Sequence, residues 1–216
     1  MIEPSARSHP TLAPDRLSAL VAVLDKAKQL GFLGPGPVQA HIDRALPILP
    51  LLPEDCAHAL DLGSGGGVPG LVLAMAKPTV EWTLLEGSTT RSRFLHEAIG
   101  LLELTPRVLV VAQRAEDAAR SSLRGSFDAV TARSFGAPAV TAECGAPFLR
   151  LGGKLIVAEP PGGIPSRWPR SNLAQVGLAL GASIESPSAF QVLIQVETCP
   201  ERFPRRTGVP AKRPLF

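Results

Sequence analysis

Apolar side chains recur at helical spacing in the first part of this chain, at Leu17, Leu20, Val21 and Leu24. This spacing predicts an amphipathic helix, with Asp15 as its candidate N-cap and Gly31 as its stop. A second helix is predicted to begin near Val38 and to end near Pro47. Both helices precede a region in which the hydrophobic pattern changes.

From residue 57 onward, short apolar runs typical of strands alternate with longer runs of helical spacing. The predicted strands are 57–62, 80–86, 108–112, 127–131 and 154–158. The predicted helices between them are 69–76, 89–102, 115–122 and 137–149. Regular alternation of this kind requires crossover connections, and it therefore predicts an α/β fold with a doubly wound parallel sheet.

The C-terminal part of the pattern predicts one more helix within 167–182, then a short strand, a turn at 186–188 and a longer strand at 190–198. An antiparallel hairpin that closes a parallel sheet is typical of methyltransferase-type sheets rather than of ordinary dinucleotide-binding folds. We therefore expect seven strands, most of them parallel. The predicted organisation is a mobile arm, a helical extension, the sheet domain and a basic tail, at 1–14, 15–56, 57–199 and 200–216.

Composition agrees with one compact domain, because 45% of the 216 residues are hydrophobic and 19% are charged. No apolar stretch approaches the roughly 18 residues of a membrane span, and no export signal begins the chain, so a cytoplasmic location without membrane contact is expected. Three widely spaced cysteines form no CxxC pair, which argues against a metal site or a disulfide framework. Basic residues concentrate in the last fifteen positions, a distribution that suits phosphate or plain solvation.

A glycine-rich loop follows the first predicted strand in the segment HALDLGSGGGVPGLVLA, residues 58–74. Gly63 begins the turn, and Gly65, Gly67 and Gly70 match the pattern GxGxxG, which is weak evidence by itself. Glycine allows a ligand to approach the backbone, and the helix that follows offers free N–H groups. Asp61, at the end of the strand, either orders the loop or binds the amino group of a ligand.

Glu86 closes the second predicted strand, at a distance that suits a carboxylate binding both hydroxyls of a ribose. NAD and S-adenosylmethionine both fit this arrangement. NAD enzymes usually carry a second domain for the substrate, for which this chain has no room. Ala115 and Glu116 follow the third strand, where they would flank an adenine ring. With the closing hairpin, these features favour S-adenosylmethionine.

Six segments of the chain together resemble the bacterial methyltransferase G family, also called glucose-inhibited division protein B: ALDLGSGGGVPGLVLA, LLEGSTTRSRFL, RAEDAA, FDAVTARSF, LRLGGKL and FPRRTGVPAKRPLF. The resemblance covers about residues 38–216. It implies the Rossmann-like fold of class I S-adenosylmethionine-dependent methyltransferases. The implied activity is methylation of N7 of one guanine in 16S ribosomal RNA, with the RNA or the 30S subunit as partner.

The resemblance also implies roles for individual residues. Together with the loop and strand-end residues above, the implied cofactor contacts are Asp61, Gly63, Gly65, Gly67, Val68, Glu86, Ala115, Glu116 and Arg133. Arginines near the reacting centre would be Arg114 and Arg133. Basic residues placed for RNA contact would be Arg91, Arg93, Arg205, Arg206, Lys212 and Arg213.

Guanine N7 has a lone pair and carries no proton, so its methylation needs no general base. The chain accordingly shows no Ser-His-Asp or Cys-His arrangement, and His41, His58 and His96 are interpreted as filling or capping local structure. Catalysis would depend on holding the donor and the base together.

The chain departs from the family pattern at three places. An asparagine-leucine-threonine segment is missing near the N-terminus, Thr90 stands where a lysine is usual, and EPPGG replaces a lysine-glycine after the fifth strand. Two alternatives therefore stay open: a methyltransferase of the same fold that acts on a small molecule or a protein, and an RNA-binding relative without turnover.

Overall fold

The structure is a computed structural model that describes residues 12–160, 165–186 and 188–216. Most of the predicted N-terminal arm, residues 161–163 of the EPPGG segment, and Pro187 of the predicted turn lie outside the described residues. Two helices, α1 (Pro14–Gln29) and α2 (Val38–Ala45), come first and are followed by a 3-10 turn, Leu46–Leu51. Ala13, not Asp15, is the N-cap of α1, because the helix begins at Pro14 and leaves Asp15 inside its first turn.

Seven strands form one sheet: β1 (His58–Leu62), β2 (Glu81–Leu85), β3 (Val108–Val111), β4 (Phe127–Ala132), β5 (Leu149–Ala158), β6 (Leu178–Ile184) and β7 (Phe190–Gln195). Their order is β3-β2-β1-β4-β5-β7-β6. The first five strands pair in parallel, and β7 runs antiparallel to both β5 and β6. The predicted mostly parallel sheet with its closing hairpin is confirmed.

The remaining helices are α3 (Gly70–Ala76), α4 (Thr89–Leu101), α5 (Ala115–Ala118), α6 (Pro138–Gly145), α7 (Arg170–Leu173) and α8 (Val209–Lys212). Two predicted helices were too long. The stretch that follows α5 continues in turns, and the chain leaves α6 through a 3-10 turn to begin β5 at Leu149.

The helix predicted within 167–182 was wrong in its second half, where β6 lies. Gly177, with φ of +76°, ends the helical segment in the left-handed conformation. A Cβ at this position would lie 2.2 Å from the carbonyl oxygen of Glu197, so the close approach of the segment before β6 to the segment after β7 requires glycine. Pairing with β7 then extends residues that have no strong strand preference of their own.

Two apolar clusters cover the two faces of the sheet. Leu20 and Leu24 of α1 and Ile42 of α2 share the first cluster with α3 and α4. The second contains residues of α5, α6 and the C-terminal segment, among them Phe203. The N-terminal helices and the C-terminal segment are therefore part of the packed core.

Candidate active site

A cavity of about 610 Å³ opens at the carboxyl ends of the central strands. The strand order reverses between β1 and β4, which is where open α/β sheets bind ligands. Leu62 pairs with Leu85 on one side and with Ala132 on the other. The residues that follow these three, Gly63, Glu86 and Arg133, therefore leave the sheet side by side, and each of them lines the cavity.

The cavity contains most of the site residues that the sequence predicts. Those that line it are Gly63, Gly65, Val68, Glu86, Arg91, Arg114, Ala115, Glu116 and Arg133. Asp61 and Gly67 are not among the lining residues, and Arg93 is exposed on α4. The structure also brings in residues that sequence reasoning missed, namely Phe32, Leu33, His41, Gln113, Phe135 and Ala211.

The glycine loop is packed between two distant parts of the chain. The N–H groups of Gly63 and Ser64 both donate to the carbonyl of Leu85, which fixes the loop to the end of β2. A Cβ at Gly63, where φ is +71°, would lie 2.6 Å from the ring of Phe135. A Cβ at Gly66 would lie 2.9 Å from the carbonyl oxygen of Phe32. The neighbouring protein atoms therefore leave no room for a side chain at Gly63 or Gly66.

Asp61 lies beneath the loop and is 1% exposed. One carboxylate oxygen accepts from Thr131 Oγ1 at 2.9 Å, and the other accepts from the N–H of Gly70 at 3.1 Å. Burial raises the pKa of Asp61 to about 6, against the lowering effect of these hydrogen bonds. Of the two roles considered for Asp61, the geometry favours ordering of the loop.

Glu86 presents its carboxylate to the cavity although the residue is only 4% exposed. Oε2 accepts from the N–H of Gly65 at 2.9 Å, and Oε1 accepts from the N–H of Ser88 at 2.8 Å. Arg91 Nη2 lies 3.1 Å from Oε1. Glu86 therefore joins the glycine loop to the start of α4 at the edge of the cavity.

Glu116 connects the cavity to the C-terminal segment. Its Oε1 accepts from the N–H of Gly208 at 3.0 Å, and Arg114 Nε lies 3.8 Å from Oε2. Thr207 donates to Asp117 one residue further along α5. The segment predicted as a basic tail is consequently packed beside the cavity.

Arg133 stands at the cavity wall and makes one specific contact with the N-terminal helices. Its Nη2 lies 2.7 Å from His41 Nδ1, and His41 Nε2 lies 3.2 Å from the carbonyl oxygen of Gly34. With Nε2 donating to that carbonyl, Nδ1 is the acceptor for Arg133, so His41 is neutral. Burial first, and then Arg133, lowers the pKa of His41 below its usual value.

The second guanidinium nitrogen of Arg133, Nη1, is buried, and no partner for it exists among the described residues. Burial lowers the pKa of Arg133, and the nearby Arg44 lowers it further. An unsatisfied buried donor costs free energy, and Arg133, which carries one, also lines the cavity.

Arg205 has a structural role that its place in the basic C-terminal segment does not predict. Its Nε and Nη2 donate to the two carboxylate oxygens of Glu143 at 2.9 and 2.6 Å, and its backbone N–H donates to Oε1 as well. Glu143 is 0% exposed, and this pairing raises the pKa of Arg205. Three other predicted RNA-contact residues are exposed: Arg206, Lys212 and Arg213.

Within the described ranges, no helix has the length and apolar character needed to cross a membrane. The same part of the chain contains no group of three or more His, Cys, Asp or Glu residues that could hold a metal ion. All three cysteines are free and buried.

Comparison with known proteins identifies relatives along most of the chain. The family model described as rRNA small subunit methyltransferase G matches residues 37–159. Ribosomal RNA small subunit methyltransferase G of Syntrophomonas wolfei is 32% identical over 191 residues, 84% of this chain and 87% of that protein. The protein of the same name from a Thermotoga species is 37% identical over 176 residues, 78% of this chain and 76% of that protein.

Solved structures share the fold at low sequence identity. An O-methyltransferase from Bacillus cereus in complex with SAH matches with a TM-score of 0.60 and 16% identity, over 83% of this chain and 91% of that one. A cofactor-bound protein from MTB matches with a TM-score of 0.58 and 18% identity, over 86% and 92% of the two chains. The sheet is thus that of class I methyltransferases, and by the family model and its relatives the chain belongs to the rRNA small subunit methyltransferase G family.

Proposed function

We propose that this protein transfers a methyl group from S-adenosylmethionine to N7 of a guanine in 16S ribosomal RNA, and that it meets this RNA in the 30S subunit. Membership of the family supports an S-adenosylmethionine-dependent rRNA methyltransferase. The strands β2, β1 and β4 end at the same level of the sheet, so that Glu86, Gly63 and Arg133 meet at one cavity. This observation carries the proposal.

The residues of this cavity fit the cofactor. Its volume of about 610 Å³ is within the range of small-molecule sites. A carboxylate has about four acceptor positions, and three donors approach that of Glu86, so a ribose hydroxyl would use the fourth or displace the half-exposed Arg91. Ala115 and Glu116 would border the adenine, and Val68 and the glycine loop would form the floor.

When bound, S-adenosylmethionine supplies a methyl group on a sulfonium, which the N7 lone pair of guanine accepts as the C–S electron pair passes to sulfur. The chain needs no base for this reaction, because N7 carries no proton. Its residues act by orientation. Arg133 and Arg114 would hold the base or its phosphate, and His41 would keep Arg133 in place.

Mass spectrometry of rRNA tests the proposal. We expect rRNA from a strain that lacks the gene to lose one 7-methylguanosine in the small subunit, and expression of the wild-type protein to restore it. Expression of Arg133→Ala, at the same protein level, should not restore it. An unchanged inventory of 7-methylguanosine in the deletion strain would contradict the proposal.

A second candidate is a methyltransferase of the same fold with a small-molecule or protein substrate. It is favoured by Thr90 and by the EPPGG segment after the fifth strand, which stand where the family resemblance implies a lysine and a lysine-glycine. RNA affinity measured over a range of salt concentrations separates the two, because each phosphate contact steepens the dependence on salt. An RNA affinity that falls steeply with salt concentration supports the RNA substrate. Weak RNA binding that does not vary with salt concentration supports the alternative.

A further inference from the structure

A second cavity, of about 470 Å³, lies at the carboxyl ends of β4 and β5. Four consecutive residues, 133–136, line both this cavity and the first one. They form a common wall, with Arg133 and Phe135 in it. Methyl transfer requires the acceptor atom to reach the donor, so the acceptor has to enter a space that adjoins the cofactor cavity. The second cavity meets this requirement.

The walls of this cavity suit a flat aromatic group. Phe135 stands on the side of the cofactor cavity, and Trp168 and Phe190, each 2% exposed, form part of the base of the second cavity. Val157 and Ala158, at the end of β5, are further apolar residues of its lining. Aromatic and apolar walls are how proteins bind a nucleobase that has been removed from its stack.

Glu159 organises the polar side of the cavity. Its Oε1 accepts from Trp168 Nε1 at 2.7 Å, and its Oε2 forms an ion pair with Arg167. The side chain of Glu159 is 8% exposed and Trp168 is 2% exposed, so this carboxylate fixes an indole and a guanidinium in one place. Because Ala132 pairs with Val157, Glu159, which directly follows β5, lies one residue beyond the level of Arg133.

These groups match the edge that guanine presents here. With N7 turned towards the cofactor cavity, O6 and the N1–H and N2–H donors remain to be bound. Arginine N–H groups donate to O6, and a carboxylate accepts from N1–H and N2–H. Arg167 and Arg133 supply the donors, and the exposed Glu185 supplies a carboxylate at the rim. Adenine has a donor at N6 where guanine has the acceptor O6, and an acceptor at N1 where guanine has a donor. Adenine therefore matches these groups poorly.

We propose that this second cavity receives the acceptor guanine, extruded from the RNA, and that Glu159 is a positioning residue that sets the preference for guanine by holding Arg167 and Trp168. The inference rests on the proposed function and specifies its acceptor subsite. The clearest structural feature behind it is the wall that the two cavities share.

Blocking the second cavity tests the location. Ala189 lines it, whereas Ala182, in the same hairpin, is exposed and does not. We expect Ala189→Trp to lower kcat/KM for 16S rRNA at least about a hundredfold, because a displaced acceptor loses its alignment. Both Ala189→Trp and the control Ala182→Trp should bind S-adenosylhomocysteine as the wild type does, by isothermal titration calorimetry.

Tryptophan fluorescence tests the role of Glu159 without turnover. The chain has two tryptophans, and Trp82 lies in the core on the opposite face of the sheet. In protein saturated with S-adenosylhomocysteine, guanosine monophosphate should quench the tryptophan fluorescence of the wild type and of Trp82→Phe. It should not quench the fluorescence of Trp168→Phe. Glu159→Gln should lower the preference for guanosine over adenosine monophosphate about tenfold.

The outcomes separate this inference from the proposed function. If wild-type protein methylates rRNA while Ala189→Trp is as active as Ala182→Trp, or while Glu159→Gln keeps the wild-type nucleotide preference, the inference is wrong and the function stands. If wild-type protein binds S-adenosylhomocysteine but methylates no rRNA, while guanosine monophosphate still quenches Trp168, the function is wrong and the guanine subsite stands.

Discussion

Arg133 and Arg205 are both partly buried, and both were predicted from sequence to contact a ligand, but their surroundings differ. Arg205 donates to both oxygens of the buried Glu143 and, through Nη2, also to the carbonyl of Arg213. Within the described residues, the side chain of Arg133 makes one hydrogen bond, to His41, and its Nη1 has no partner. The first arginine holds the C-terminal segment on α6, and the second retains a free donor at a cavity. The two arginines thus differ in the number of hydrogen bonds they make and in their position, since Arg133 lines the cavity and Arg205 does not.

Removal of Arg205 should produce the largest effect on stability. Arg205→Ala leaves the carboxylate of Glu143 buried without its partner, and we expect it to lower the free energy of unfolding by about 3 to 5 kcal/mol. Chemical denaturation measures the change, and Arg206→Ala, an exposed neighbour, should change stability by less than about 0.5 kcal/mol. Equal effects of the two substitutions would contradict the structural role of Arg205.

Asp61 offers a buried carboxylate to compare with Glu143, because no arginine among the described residues forms an ion pair with it. Since the folded pKa, about 6, is above the usual value, 3.8, the folded state binds a proton more tightly than the unfolded state does. This contribution to stability is present below about pH 4 and is lost as pH rises through 6.

We therefore expect the free energy of unfolding of the wild type, relative to Asp61→Asn, to fall by about 2 kcal/mol between pH 4 and pH 7. Denaturation of both proteins at a series of pH values measures it. A relative stability that does not vary with pH would show that burial does not shift this carboxyl group.

Substitution of Glu86 tests whether the cavity that Arg133 lines binds the cofactor. Glu86→Ala should weaken binding of S-adenosylhomocysteine by about 1 to 3 kcal/mol, since it removes charge-assisted hydrogen bonds to the ribose. Glu86 also accepts from two backbone N–H groups, so Glu86→Gln, which keeps an acceptor, controls for damage to the loop. Calorimetry that finds wild-type affinity in both variants would remove Glu86 from the cofactor site.

His41 should give the smallest effect, and one that depends on pH. The lowered pKa keeps the ring neutral at pH 7, so that Nδ1 accepts from Arg133, and protonation at lower pH removes this hydrogen bond. We expect kcat of the wild type to fall as pH decreases below the usual histidine value. In His41→Gln, kcat should be about threefold to tenfold lower at pH 7 and should vary less with pH. Identical pH profiles would contradict a positioning role.

The sequence predicted the sheet and the glycine loop because both depend on local patterns. Alternating apolar runs predict parallel strands, and Gly63 and Glu86 each follow directly after a strand. Contacts between distant residues were not predicted. Arg205 and Glu143 are 62 positions apart, and His41 and Arg133 are 92 apart, so each pair is set by packing of separate elements. An edge strand such as β6, with weak preference of its own, also depends on its neighbour.

Formation of 7-methylguanosine by the purified protein tests the central claim most directly. Wild-type protein and Arg133→Ala would be incubated with S-adenosylmethionine and with 30S subunits from a strain that lacks the gene, and the digested 16S rRNA would be analysed by mass spectrometry. We predict one new 7-methylguanosine with the wild type, and a rate at least about a hundredfold lower with Arg133→Ala at unchanged thermal stability. Wild-type protein that binds S-adenosylhomocysteine but forms no 7-methylguanosine, or an alanine variant as fast as the wild type, would contradict the account.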